Sequence, residues 1–466
     1  MTKQLYSLYV INHHEKLLFL PESLAKIPEM TVVFGSAREV TKVRKIPRGK
    51  DGIFLTRALM EALAIPDIPL KLNVIVSGSE CLIGPVVGVF TAGFKNFSQA
   101  PLGQRTFYFA KLLANAQSAG VLPILFGVQH IQWEEGLVNG FLYDRKKDRW
   151  LTLLVPLPNV VYDRIPNRRI EQLDSIQNLK RKLQKEYGIP WFNPGFFNKW
   201  ELYQRLAKNE AIRSFLPETI LFQNDHDLLE MLKKYDHLYL KWVSGSHGNG
   251  VYEIKKDKNG RWNCYFRDEE GRIHSFFATD KASLIRHLNS DVTKGQYIIQ
   301  QGIDLIKHKG NPVDFRLHMN KRQDGTWTVT ALAAKVSSEH SPTTHLVSGG
   351  EIKTIEEIFL DTENRHTAIK RLRETALLVS ETLDKLSSGF IGEIGLDIGI
   401  DQKGKNWLFE ANAKPGRSIY SHPRLQKLER TNHLYLFEYA TALATTMFTS
   451  PEEIYRQIES RESIVI

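Results

Sequence analysis

With 466 residues the chain is long enough for two or three domains, and its 42% hydrophobic and 24% charged content is that of an ordinary globular protein rather than a disordered or fibrous one. No apolar run reaches membrane-spanning length and the first residues lack a signal-peptide layout, so no membrane span and a cytoplasmic location are expected; Cys81 and Cys264 stand too far apart for a disulfide framework or a zinc motif. The formal charge of +10 favours anionic partners, but the basic residues are scattered without an RNA-binding signature, which makes nucleic acid an unlikely partner.

Short β-like runs at 5–11, 31–34, 73–76 and 86–91, with one helix over 54–64, describe a β-rich N-terminal domain, 1–95, suited to a structural or docking role. Gly84, Pro85 and Gly88 punctuate its last apolar run. A helix over 104–118 and β-like runs at 121–126, 151–155 and 159–162 then alternate as in a small α/β domain, 96–195. Asp163 and Arg164 follow the last of these runs, where open α/β sheets place ligand groups. Arg164 either holds an acidic group or phosphate, or pairs with Asp163. A helix over 170–187 carries Ile170, Leu173, Ile176, Leu179 and Leu183 on one stripe, and the proline-rich 190–195 reads as a domain junction.

Asn198 is placed to cap a helix whose first residue is Lys199. A lysine there opposes the helix dipole, so it is either a phosphate contact or a solvated side chain. Two β-like runs in 237–254 flank a loop with Gly245, Gly248 and Gly250, which lets backbone amides approach a polyphosphate. Strands on both sides exclude a dinucleotide fingerprint or a P-loop. Lys241 lies within the first, apolar run, where an ammonium group needs an anion. A strand over 297–304 follows. In 313–319, Val313, Phe315, Leu317 and Met319 alternate with Asp314, Arg316 and His318; the fork of Arg316 suits phosphate oxygens, with a pair to Asp314 as the alternative. The run at 331–337, with Lys335, reads as the neighbouring strand, and 344–350 as a loop able to close over a site; His340 and His345 make no metal motif. A helical stripe of Ile369, Leu372, Ala376, Val379, Leu383 and Leu386 leads to 389–416, and helices over 432–447 and 451–460 close the chain.

The segment 389–416 organises the rest. Leu396, Ile398 and Ile400 alternate with Asp397, Gly399 and Asp401; Trp407, Phe409 and Ala411 alternate with Leu408, Glu410 and Asn412. A four-residue turn at 402–405 sets Ile400 against Trp407, Ile398 against Phe409 and Asp397 against Glu410. Asp397, Glu410 and Asn412 then share a face of oxygen donors. Two facing carboxylates repel unless a cation such as Mg²⁺ sits between them; the alternative is a solvated hairpin face with ordinary surface acids.

In this order, Lys199, Lys241, the glycine loop, Gln300–Ile303, Arg316, the Gly349–Gly350 loop, Asp397 and Glu410 with Asn412 resemble the ATP-grasp superfamily, over roughly the C-terminal three-fifths of the chain. The whole sequence is similar to the endospore coat-associated ATP-grasp proteins of the YheC/YheD type. The resemblance implies an α+β ATP-grasp domain, 196–466, with ATP between a nucleotide-clasping subdomain, 196–300, and a metal-binding subdomain, 301–466. It implies that Lys199 and Lys241 contact phosphates under a cover of Gly245, Ser246, His247, Gly248, Asn249 and Gly250. Gln300, Gln301, Gly302 and Ile303 would line the adenine pocket, and Asp304 would reach the ribose. Asp397, Glu410 and Asn412 would hold Mg²⁺, and Arg316 would stabilise the transferring phosphate, with Lys335 as the second catalytic candidate. Gln301 stands where many relatives carry an acid, and Lys335 near where many carry arginine. The implied reaction activates a carboxylate as an acyl phosphate for attack by an amine or thiol, on an acidic or peptide-like substrate, in spore formation. The alternative is a non-catalytic coat scaffold, deposited with other coat proteins, that keeps the fold and ATP binding.

Overall fold

The computed structural model describes residues 4–46, 51–245, 250–268, 272–288, 292, 295–338 and 350–462. Four sheets follow one another along the chain. The first is a closed seven-stranded barrel running from Tyr6–Ile11 to Glu80–Gly84. Its four unanticipated strands include Ile53–Thr56, which pairs in parallel with Tyr6–Ile11. For that reason the helix expected over 54–64 starts only at Arg57.

Val86–Phe90, expected in the first segment, belongs to the second sheet, where it lies in parallel between Leu122–Phe126 and Val160–Asp163. Alternation along the strand explains its double burial: Val86 and Phe90 pack toward the barrel, Val87 and Val89 toward the helices Thr106–Ala116 and Gln426–Thr449. The second of these helices returns from the far end of the chain and places Leu436 and Phe437 in the same core as Phe109 and Leu112. The continuous helix expected over 170–187 is two helices, Arg168–Glu171 and Asp174–Lys185, because the backbone turns extended at Leu173, which is half-exposed.

The third sheet is antiparallel in the order Thr219–Leu221, Tyr297–Gln301, His237–Trp242, Val251–Lys256, Trp262–Arg267 and Ile273–Ala278. Leu228, Met231 and Leu284 of two helices cover one of its faces. The fourth sheet runs Glu351–Lys353, Trp327–Val336, Asn311–Lys321, Glu393–Ile400 and Asn406–Asn412. Val313, Phe315, Leu317 and Met319 are fully buried against Leu372, Ala376, Val379 and Leu383 of the helix Thr362–Leu386. The alternate face carries Asp314, Arg316, His318 and Asn320, which are buried as well. Charged groups kept from water must meet one another or a ligand, which makes this face the place to look for chemistry.

Candidate nucleotide and metal site

The hairpin of Glu393–Ile400 and Asn406–Asn412 sets Asp397 opposite Glu410 and Gly395 opposite Asn412. Beyond Asp397 the register differs from the expected one: Ile398 faces Leu408 and Ile400 faces Asn406. The cause is the turn. Asp401 receives the backbone N–H groups of Lys403 and Lys405 and the indole N–H of Trp407, and its own N–H donates to the Lys405 carbonyl, closing the hairpin one residue earlier. A bulge at Phe409 restores the pairing of the carboxylates. Leu408 thereby joins the core, while the Phe409 ring crosses the site face over Gly399, where a Cβ would sit 2.5 Å from it.

Arg316 lies directly across the ladder from Asp397 and holds it with both arms of its fork, Nε at 2.7 Å and a terminal nitrogen at 2.8 Å. Its partner is therefore Asp397 rather than Asp314. Asp314 pairs instead with Lys335 at 3.1 Å, and Lys335 reaches Asp397 as well, at 2.9 Å. Burial disfavours the charge of both cations, and the facing carboxylates overcome it, holding Arg316 and Lys335 above their ordinary ranges. Gly395 makes room for the fork, since a Cβ there would stand 3.1 Å from Arg316 and 2.6 Å from Pro415.

Lys199 opens the helix Lys199–Ala207, capped by Asn198, whose side chain accepts from Trp200 N and Glu201 N. Its ammonium donates to Glu410 Oε1 at 2.5 Å and to the Gly245 carbonyl at 2.9 Å. Lys241 projects from the third sheet and donates to Gln300 Oε1 at 2.5 Å, and Gln300 donates on to Thr219. Lys199, Lys241, Gln300, Phe409 and Glu410 line one open cleft between the third and fourth sheets.

The expected residues Gln301 to Asp304 and the described glycines of the loop do not line this cleft. Gln301 turns its amide oxygen to Glu218 N, a Cβ on Gly302 would strike the ring of His237, and Asp304 is exposed; 302–306 cross to the fourth sheet, where Ile306 N donates to the Ile400 carbonyl. Gly250 takes a positive φ of 67°. Ser246, His247, Gly248, Asn249, His340, His345 and residues 344–349 lie outside the described residues. Arg168, unremarked in the sequence, donates to the Ser244 carbonyl at 2.9 Å, so two cations hold the start of the glycine loop. Arg164 does not pair with Asp163. Consecutive strand residues point to opposite faces: Asp163 meets Lys180 and Lys414, each at 2.7 Å, while Arg164 meets Glu393.

A family model described as YheC/D-like ATP-grasp matches residues 188–443, the segment that builds the cleft. The chain belongs to that family. It is 39% identical over 441 residues, 95% of this chain and 96% of the relative, to the endospore coat-associated protein YheD of Bacillus subtilis (strain 168). With YheC of the same organism, also described as endospore coat-associated, it shares 23% over 332 residues, 71% of this chain and 89% of the relative. D-alanyl-alanine synthetase A from Vibrio cholerae aligns at 12% identity with a TM-score of 0.44, covering 78% of this chain and 98% of that one.

The donor set of the ATP-grasp hairpin fits Mg²⁺. Asp397, Glu410 and Asn412 offer hard oxygens on one face, and both carboxylates are already met by cations, Arg316 and Lys335 on one and Lys199 on the other. No group of three His, Cys, Asp or Glu side chains able to hold a metal occurs among the described residues. Lys199 and Lys241 line the cleft with Glu410, and the buried pairs of Arg316 and Lys335 with Asp397 and Asp314 lie beside it, so the cluster as a whole holds four cations against three carboxylates, a balance that suits an anion such as phosphate.

Lys241 has a pH signature. Burial pulls its ammonium down from 10.5 to about 8, with Glu410 opposing that and Lys199 adding to it. Above pH 8 the folded protein loses this charge while the unfolded chain keeps it, so unliganded stability rises toward pH 10. Phosphate attraction moves the other way. The dissociation constant for Mg-ATP is expected to rise about tenfold between pH 7 and 9, a dependence that Lys241→Met abolishes; calorimetric titration at the two pH values reads it.

Proposed function

We propose that the protein is an ATP- and Mg²⁺-dependent ligase that joins a carboxylate to an amine or thiol through an acyl phosphate, acting in endospore formation or at the coat. The observation that carries this reading is the Lys199 to Glu410 contact at 2.5 Å beside Lys241, which ties the anion-binding lysines to the carboxylate hairpin across one cleft. Lys199 and Lys241 hold the nucleotide phosphates in place. Asp397, Glu410 and Asn412 would hold Mg²⁺, which neutralises phosphate charge when bound.

Arg316 would steady the phosphoryl group as it passes to the substrate carboxylate, and Lys335 supports Asp314 and Asp397. The carboxylate oxygen attacks the terminal phosphorus, ADP leaves, and an amine or thiol then displaces phosphate from the acyl carbon. Positioning and charge supply the acceleration, so no protein nucleophile is needed. The substrate is an acidic or peptide-like carboxylate, and coat proteins are the partners that the relationship to YheD suggests.

The test is ADP release with paired carboxylates and amines: release that requires both acceptors and Mg²⁺ supports the ligase. ATP binding without release under any pairing favours the non-catalytic coat component.

A further inference from the structure

Where the second sheet abuts the hairpin, Arg164 lies within repelling range of both Arg105 and Arg417 and shares Glu393 with Arg417. The chain passes from Val86–Phe90 to Leu122–Phe126 on one side and later sets Val160–Asp163 on the other, which makes the carboxyl ends of Val86–Phe90 and Val160–Asp163 a topological switch point. Arg105 donates to Thr91 Oγ1 at 3.2 Å and to the Ala92 carbonyl, just beyond the first of these strands. Thr91 in turn donates to the Arg164 carbonyl at 2.8 Å, beyond the other. Arg417 arrives from the loop after the hairpin.

Glu393, almost wholly buried, serves both Arg164 at 3.2 Å and Arg417 at 2.7 Å and accepts from the Tyr162 hydroxyl. Arg105 has no carboxylate partner among the described residues. Burial and the repulsion of Arg164 hold Arg105 below its ordinary range. Donors are in surplus as well. Arg417 Nε, on a side chain only 9% exposed, the Tyr108 hydroxyl and His433 Nε2 have no hydrogen-bond partner among the described residues. The Tyr108 ring lies 5.3 Å from Arg164 and 6.3 Å from the His433 ring. His433 Nδ1 faces the Asn115 amide at 3.0 Å.

We propose that this arginine cluster binds a second anionic group of the substrate, a carboxylate or phosphate gripped by Arg105, Arg164 and Arg417. The inference rests on the ligase reading for the reacting end of that substrate. The two ends are connected in space: Arg164 reaches the Pro415 carbonyl at 3.5 Å, and Pro415 packs over Gly395 beside Arg316. Glu393 precedes Asp397 by four residues along one strand, about 13 Å, so the substrate is extended, with anionic groups at that order of separation, as in an acidic peptide.

Arg105→Gln is the variant of choice, because removing Arg105 orphans no carboxylate; Arg105→Lys serves if the glutamine variant does not fold. Thermal unfolding is followed without nucleotide, at fixed ionic strength, with glutarate, a diglutamyl peptide or inorganic phosphate. A rise in Tm for the wild type, weakened at least tenfold in apparent affinity by either substitution and kept in Lys199→Ala, supports the site. Protection by the acids identifies a carboxylate, and protection by phosphate alone a phosphate ester. No rise with any probe, or an equal rise in the Arg105 variants, overturns it. The anion response needs no ATP, so its failure is read separately from a failure of ADP release.

Discussion

Methionine in place of Lys241 is expected to lower ADP release by about 10²- to 10³-fold while leaving the protein folded. A preorganised cation aimed at developing phosphate charge contributes at that level, as oxyanion donors do elsewhere. The folded state loses little. The ammonium is held by Gln300 Oε1 at the cost of strong desolvation, so removing it relieves a buried charge and leaves one amide acceptor short, a net change of about 1–3 kcal/mol. Steady-state ADP release beside chemical unfolding separates the two effects. Full activity in the variant would remove Lys241 from the site.

Alanine in place of Asp397 is expected to destabilise the protein by about 3–5 kcal/mol and abolish turnover together. Asp397 is the shared anion of Arg316 and Lys335, and breaking a buried pair from one side strands the remaining charge. Glu410→Gln is the contrast. Glu410 keeps a quarter of its side chain exposed, so its pair with Lys199 contributes within about 1 kcal/mol to stability, yet turnover is lost as completely. Unfolding curves for both variants read the difference; equal stability losses would mean that Asp397 is not the structural anion of the face.

Much of the cleft was legible because its elements announce themselves locally. The alternation of Leu396, Ile398 and Ile400 fixes which face Asp397 takes, and Asn198 caps the helix that presents Lys199. The register past Asp397 was not legible. Trp407, Leu408 and Phe409 are three consecutive large apolar residues, so apolar alternation alone does not choose the register, and the choice falls to Asp401, whose turn bonds have no hydrophobic signature. Long-range pairing hid other features. Val86–Phe90 crosses into the second sheet through parallel partners far along the chain, and Arg164 looks like a partner of Asp163 only until the strand sends the two side chains to opposite faces. Glu393 and Arg417 carry no motif; their meaning comes from the second sheet packed against them.

The most direct measurement is a titration of Mg-ATP against the unfolding free energy of the wild type and of the Lys199→Ala, Lys241→Met double variant. At a hundred times the dissociation constant the wild type should gain about 2.7 kcal/mol and the double variant nothing at the same concentration. Equal stabilisation of both, or none in the wild type at millimolar Mg-ATP, would contradict a nucleotide held between the two sheets.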